Sequence, residues 1–259
     1  MAESQNLGFI GVGDLAEYTV KGLRRGGYQG DILLSPRNRD MSRKLAADWQ
    51  CKVMPSNQAV VDACDSFVLS TRPAHCLDAL AGLELRPDHL LISVVAGVSI
   101  HSLRQQINDL NIDIIRAMPV NSAQAGASPT LIFPPHQAVS TLFNYCGNSI
   151  IADSEASFDQ GSVIACVYTW YFELFNELIK ACSRESLSTE LASELVLGMA
   201  KGAASLALQD NNRSPGEIAE AIATDGTFSR LGLDLLKDQD AFKPWHEASQ
   251  LLNNKFKED

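Results

Sequence analysis

The sequence predicts an α/β protein, with a doubly wound parallel sheet in its first half and an all-α domain in its second. Three observations carry this. A glycine turn, Gly11-x-Gly13-x-x-Ala16, closes a short apolar run near the start of the chain. From there to residue 152, strand-like apolar runs alternate with helix-like segments, the pattern of βαβ units. After Asp153 only helical patterns remain.

Taken in order, residues 7–10 read as a buried parallel strand, and the helix behind them carries Ala16, Val20 and Leu23 on one face. Gly11 permits the tight strand-to-helix turn. Gly13 lets a bulky pyrophosphate approach the backbone, and Ala16 keeps helix and strand close. The helix N-terminus adds free N–H groups and partial positive charge, so the backbone of Gly11, Gly13, Asp14 and Leu15 reads as a phosphate cradle. In this context the sheet is of the Rossmann type. A second strand is expected at residues 31–35, a helix at 41–50 and a short strand at 51–54. Further strands are expected at 66–70, 90–95 and 112–118, each followed by a Pro, Gly or Ser break. Strand-like pieces at 129–133 and 149–152 complete the sheet. Such a sheet takes its ligand beyond the carboxyl ends of the strands.

Helices follow at residues 157–183, 189–210, 215–223, 228–237 and 248–257. The first is apolar on most faces (Val163, Ile164, Val167, Tyr171, Leu174, Phe175, Leu178), which demands burial. About a hundred residues offer little interior for it, so a second subunit is the expected cover. The expected organisation is therefore a dinucleotide-binding domain at 1–153 and a helical dimerisation and substrate domain at 154–259.

Composition sets the outer limits. The chain has 259 residues, 46% hydrophobic and 20% charged, with a formal charge of −10. That balance is globular and argues against nucleic acid or an anionic membrane as partner. No apolar run approaches the roughly 20 residues of a membrane span, and residues 1–6 are too polar for a leader. The six cysteines show no C-x-x-C spacing and read as reduced thiols, mostly buried, in a cytoplasmic protein. The five histidines are dispersed, without metal spacing; no metal site is expected, and all five read as surface residues.

The end of the second strand bears on the form of the dinucleotide. NAD sites usually place Asp or Glu there for the ribose hydroxyls. This chain has Ser35-Pro36-Arg37-Asn38-Arg39 instead. Arg37 and Arg39 suit a 2′-phosphate, with Ser35 and Asn38 as hydrogen-bonding neighbours, so the expected cofactor is NADP. Asp14 runs against this pattern, because its carboxylate repels pyrophosphate unless it points away.

The residues resemble the pyrroline-5-carboxylate reductase family, which makes proline from a cyclic imine. The stretch from Gly8 to Glu17 is similar to that family's GFIGAGNMAE. Ser70-Thr71-Arg72-Pro73 stands at its AVKP, and residues 92–100 match ISIAAGVSI nearly throughout. Arg116-Ala117-Met118-Pro119 corresponds to RVMP, residues 197–201 to LGAAK, and residues 224–229 to SPGGTT. The resemblance runs in order along essentially the whole chain. It implies a Rossmann domain plus a helical domain in which two subunits interleave. It also implies the cofactor adenosine near residues 35–38 and Thr71-Arg72-Pro73, and the nicotinamide near Val95-Ala96-Gly97 and Met118-Pro119.

The departures concern the substrate. The family's SGSGPAY loop, whose hydroxyls and N–H groups hold the substrate carboxylate, aligns with residues 165–171, where only Tyr171 matches. Thr169 and Tyr168 within that stretch, and Arg230 beyond it, are candidates for reshaping the pocket. Ser229 keeps a hydroxyl at the family's second threonine. Ser229 and Thr169 are thus the candidate catalytic residues, with a small-molecule imine as substrate. Imine reduction suits a chain without an evident Lys, His or Tyr acid, because the electrophile is already polarised and positioning does most of the work. Two other readings stay open: a catalytically silent relative that keeps the dinucleotide site, and a deazaflavin or 2-hydroxyacid oxidoreductase sharing only the first domain.

Overall fold

Short apolar runs separated by turn residues build the strands, and the amphipathic segments between them build the crossovers. The computed structural model describes residues 6–184 and 186–258; residues 1–5, part of the stretch read for a leader, lie outside these. The chain forms two compact units, the first ending at Ser162 and the second spanning Val163–Glu258.

In the first unit the elements run β1 (Leu7–Ile10), α1 (Asp14–Arg25), β2 (Ile32–Leu34), α2 (Arg39–Trp49), β3 (Cys51–Val53), α3 (Asn57–Asp62), β4 (Ser66–Leu69) and α4 (Pro73–Leu80). They continue with β5 (Leu90–Ser93), α5 (Ile100–Gln106), β6 (Asp113–Met118), a 3₁₀ turn at Asn121–Ala125, β7 (Ser128–Phe133), α6 (Gln137–Asn144) and β8 (Gly147–Ile151). The strands form one eight-stranded sheet in the order β3-β2-β1-β4-β5-β6-β7-β8. All neighbours pair in parallel except β6 and β7, so the expected parallel sheet is mostly parallel, with one reversal late in the chain. The strand order changes direction between β1 and β4, which puts the ligand crevice of such a sheet above these two strands.

Both faces of the central strands β1, β2, β4, β5 and β6 are covered, which is why they read as continuous apolar runs, whereas the edge strands β3 and β8 are largely exposed. Successive residues of β1 point to opposite faces. Phe9 joins Val20, Leu23, Leu45 and Phe143 under α1, α2 and α6. Ile10 joins Val60, Val61, Cys76, Leu80 and Leu103 under α3, α4 and α5. Burial pushes the Cys51 thiol up to about 11 and those of Cys64 and Cys146 to about 12, so these three are inert core groups.

One histidine departs from the surface reading. His89 is buried edge-on to Phe67. Its Nδ1 accepts the Arg86 N–H at 2.9 Å and its Nε2 donates to the Val61 carbonyl at 3.1 Å. With both ring nitrogens satisfied, a neutral imidazole is at home in the core.

The second unit holds most of α7 (Glu155–Cys182), whose first residues belong to the first unit, and then α8 (Thr189–Gln209), α9 (Pro215–Ile222), α10 (Phe228–Asp238) and α11 (Lys243–Glu258). Ser188, Ser214 and Thr227 cap the starts of α8, α9 and α10. Large apolar side chains remain in solvent along these helices, among them Ile164, Phe172, Met199 and Leu208. An apolar groove of about 510 Å³ runs between α7 and α8, lined by Leu174, Leu178, Leu195 and Met199. By length and composition α8 is apolar enough to cross a membrane, contrary to the expectation that no segment approaches that. Its alanines, glycines and few charges break up the apolar residues, so no single run announces it.

Candidate dinucleotide site

The glycine turn is where the sequence most constrains the backbone. Gly11 has φ of +90°, and a Cβ there would lie 2.7 Å from Thr71 Cγ2 and 2.8 Å from the Ser70 carbonyl carbon and oxygen. Only glycine fits a left-handed position pressed against the neighbouring strand end. A Cβ on Gly13 would meet nothing within 4 Å, so the space above that residue is open. Together they give a turn closed on the protein side and free on the other.

Side chains from the ends of three strands and helices brace this turn. The Ser35 hydroxyl accepts the Gly11 N–H at 3.0 Å, and the Ser70 hydroxyl donates to the Gly11 carbonyl at 2.6 Å. Asn38 donates its Nδ2 to the Val12 carbonyl at 2.8 Å, while its Oδ1 accepts the Met41 N–H at the start of α2. Ser35 is 1% exposed and tied further through its carbonyl to Ser42 Oγ. Ser35 and Asn38 are expected beside a 2′-phosphate; their side chains bond the glycine turn and, for Asn38, also the start of α2. Arg37 and Arg39 are different. Both are exposed, and neither has an ion-pair partner among the described residues.

The helix starts of the first unit fall into two groups. Side chains cap α2, α3, α5 and α6, through Asn38, Ser56, Ser99 and His136. By contrast α1 and α4, which begin beside the reversal of strand order, have no side-chain cap; Gly13 and Arg72 stand at their cap positions. Their first N–H groups are left for another acceptor. Thr71 Oγ1, between the two, is buried without a hydrogen-bond partner. An open glycine cradle, uncapped helix starts and an orphan hydroxyl are what a phosphate-bearing dinucleotide would complete.

The remaining predicted positions ring the same edge. Leu15 is half-buried in the first turn of α1, and Asp14, ahead of it, is exposed. Arg72 and Pro73 are exposed at the start of α4. Ala96 and Gly97 are exposed beyond β5, where the Val94 N–H continues the sheet pairing to Leu69. Met118 is half-buried and Pro119 buried at the end of β6. The candidate catalytic residues lie in the second unit: Thr169 is exposed within α7, and Ser229 is exposed in the first turn of α10. Arg230 is held by Glu220 at 2.6 Å and Asp234 at 3.4 Å.

The structure also shows supporting residues that pattern reading passed over. Glu17 is buried against Lys21 at 2.8 Å and Lys44 at 2.9 Å, tying α1 to α2. Lys21 first and Lys44 second hold its carboxyl below the usual carboxylate range. Arg116 is buried on β6 against Glu155 and Asp159. An arginine inside the apolar run 112–118 was the available signal for it.

Comparison with known proteins fits this geometry. Residues 6–97 match the family model NADP oxidoreductase coenzyme F420-dependent, and residues 155–258 match Pyrroline-5-carboxylate reductase dimerisation. The pyrroline-5-carboxylate reductase of Glycine max is 31% identical over 257 residues, covering 92% of this chain and 89% of that protein. The chain belongs to the pyrroline-5-carboxylate reductase family. The pyrroline-5-carboxylate reductase of Pseudomonas aeruginosa is 28% identical, covering 90% of this chain and 92% of the other. The fold agrees with the solved pyrroline-5-carboxylate reductase of Coxiella burnetii, at a TM-score of 0.84 and 21% identity over 99% of this chain and 98% of that one. It agrees equally with the Plasmodium falciparum pyrroline carboxylate reductase solved with NADP bound, at 0.82 and 20% identity over 98% of each.

Helix α7 runs unbroken from Glu155 to Cys182, and residues 165–171 lie within it. Inside a helix each N–H is turned to a carbonyl one turn back, so this stretch exposes no backbone donors to an anion.

Proposed function

We propose that this chain is an NADPH-dependent reductase of pyrroline-5-carboxylate or a related cyclic imine. The braced glycine turn at Gly11, open on its ligand side, carries the reading within a family of oxidoreductases. The backbone of Gly11, Gly13, Asp14 and Leu15, with the start of α4 at Thr71, Arg72 and Pro73, would hold the pyrophosphate. Arg37 would take the 2′-phosphate with Arg39, while Ser35 and Asn38 keep the loop in shape. Ala96, Gly97, Met118 and Pro119 would shape the nicotinamide end. A bound nicotinamide dinucleotide supplies the hydride for the C=N bond.

Residues 1–153 then serve as the dinucleotide-binding domain and 154–259 as the dimerisation and substrate domain. Ser229 and Thr169 would orient the imine by hydrogen bonding; the nitrogen takes its proton from solvent, and hydride transfer to the iminium carbon then gives the amine. The protein would act as a homodimer or larger assembly of its own chain. The apolar surface of α7 and α8 supports this, since a second copy accounts for it without a bilayer.

One observation favours a second reading, a catalytically silent relative that keeps the dinucleotide site: α7 is unbroken where the family's loop aligns. The deciding experiment is NADPH oxidation by the purified chain with pyrroline-5-carboxylate, beside a small panel of cyclic imines. Turnover of any of them supports the reductase. NADPH binding with no turnover of any supports the silent relative. Restoring the family's glycine-rich loop at residues 165–170 then tests the cause, and a gain of tenfold or more is expected if the helix alone blocks the substrate.

A further inference from the structure

The crevice ends of β5 and β6 are joined by an ionic clamp between a buried arginine and two carboxylates nearer the surface. Arg116 is 2% exposed, an unusual state for an arginine, and tolerable only when its charge is paired. Its Nη1 donates to Glu155 Oε1 at 2.9 Å and its Nη2 to Asp159 Oδ1 at 2.8 Å. The guanidinium lies over the Phe158 ring, 4.4 Å from the centroid. The same Glu155 Oε1 accepts the Ile100 N–H at 2.9 Å.

The positions of these partners give the clamp its meaning. Arg116 pairs in register with Ser93, the last residue of β5. Two residues further along its own strand stand Met118 and then Pro119. Ile100 is the first residue of α5, so residues 94–99 are fixed at one end by β5 and at the other by Glu155. One carboxylate therefore sets the spacing between the loop after β5 and the end of β6. In a doubly wound sheet the first mononucleotide half lies over the strands on the β1–β2 side, and the second half lies over the strands beyond the reversal. Here those are β4, β5 and β6.

We propose that Arg116 and Glu155 are positioning residues that hold the β5 and β6 ends in the shape receiving the nicotinamide half of the dinucleotide. The inference rests on the cofactor reading given above. It requires the two halves of the site to be separable: the turn at Gly11 and the Arg37 loop share no hydrogen bond with Arg116, Glu155 or Asp159 among the described residues.

The test uses the full chain and two probes. Adenosine 2′,5′-bisphosphate, the adenosine half alone, is titrated by calorimetry, and NADPH by the emission of its nicotinamide ring. Glu155→Ala is expected to keep adenosine bisphosphate affinity within twofold of wild type. It is also expected to weaken NADPH at least fivefold and to lose half or more of the emission change on binding. Glu155→Gln keeps the acceptor for Ile100 and Arg116 and is expected to stay within twofold on both probes. Arg116→Lys keeps the charge but cannot bridge both carboxylates. It should reproduce the Glu155→Ala split, and decides the matter if Glu155→Ala fails to fold. Unchanged NADPH emission, or equal loss of both probes in these variants, overturns the proposal. Failure of wild type to bind either probe overturns the cofactor reading and this inference with it.

Discussion

The two units of the chain meet the same physical demand in opposite ways. In the first, both faces of the central strands are covered by the chain's own helices, and the turn at Gly11 is fixed by Ser35, Ser70 and Asn38. In the second, long helices leave Met199, Leu208 and Phe228 in solvent, and polar satisfaction is confined to caps and surface ion pairs. A unit that buries its core can tune a ligand site residue by residue. A unit that leaves its apolar faces open needs a cover, and in the proposed homo-oligomer a second copy supplies it, which ties the geometry of that unit to assembly.

Substitutions that strike one unit and spare the other sharpen this contrast. The largest effect is expected in the groove between α7 and α8. Leu195→Arg places a charge where an apolar face must be covered, and an unpaired buried charge costs several kcal/mol. Sedimentation velocity is expected to show the oligomer lost. An oligomer unchanged in size would mean that this face is not the interface. Next comes Gly11→Ala, which meets the Ser70 backbone at a positive φ. It should lower stability by about 2 kcal/mol in chemical denaturation and weaken NADPH at least tenfold, with assembly intact. Equal binding would remove the turn from the site.

Smaller effects test the electrostatics of the first unit. Asp14 is exposed at the uncapped start of α1. Asp14→Asn should raise NADPH affinity about threefold while costing the helix up to about 1 kcal/mol, because the carboxylate favours the helix dipole and opposes the phosphates. A fall in affinity would contradict that. Glu17 has its carboxyl held low by Lys21 and Lys44. Its contribution is therefore complete above the ordinary carboxylate range and is lost as pH falls through the lower folded value. Denaturation of wild type and Glu17→Gln should differ by no more than about 1 kcal/mol at neutral pH, and the difference should vanish in acid. A difference that persists in acid would assign it to packing instead.

The sheet was legible because strands buried on both faces are apolar runs punctuated by turns, a rule that β1, β2, β4, β5 and β6 follow directly. The reversal at β7 was not, since strand direction leaves no mark on composition and β7 is paired on both sides, antiparallel to β6 and parallel to β8. Among the helices, α3, α4, α5 and α6 are short, and no predicted range marked them. His89 looked polar and exposed because its two partners, Arg86 and Val61, are backbone groups that no motif encodes. The glycine cradle could be read residue by residue, whereas the bracing by Ser70 and the Arg116 clamp depend on which strand ends meet. On the substrate side, residues 165–171 signalled a departure by losing their glycines. That the helix continues through them follows from the absence of any breaker.

The proposed reductase stands or falls on whether the first unit holds a working site for a phosphorylated nicotinamide dinucleotide. The direct measurement is a calorimetric titration of the purified chain with NADPH and with NADH, repeated on Arg37→Ala/Arg39→Ala. Charge-assisted contacts to a 2′-phosphate contribute about 1.5–3 kcal/mol each, so NADPH should bind at least tenfold more tightly than NADH, and the double variant should erase the difference. Equal affinities in the wild-type chain, or tighter binding of NADH, would contradict it.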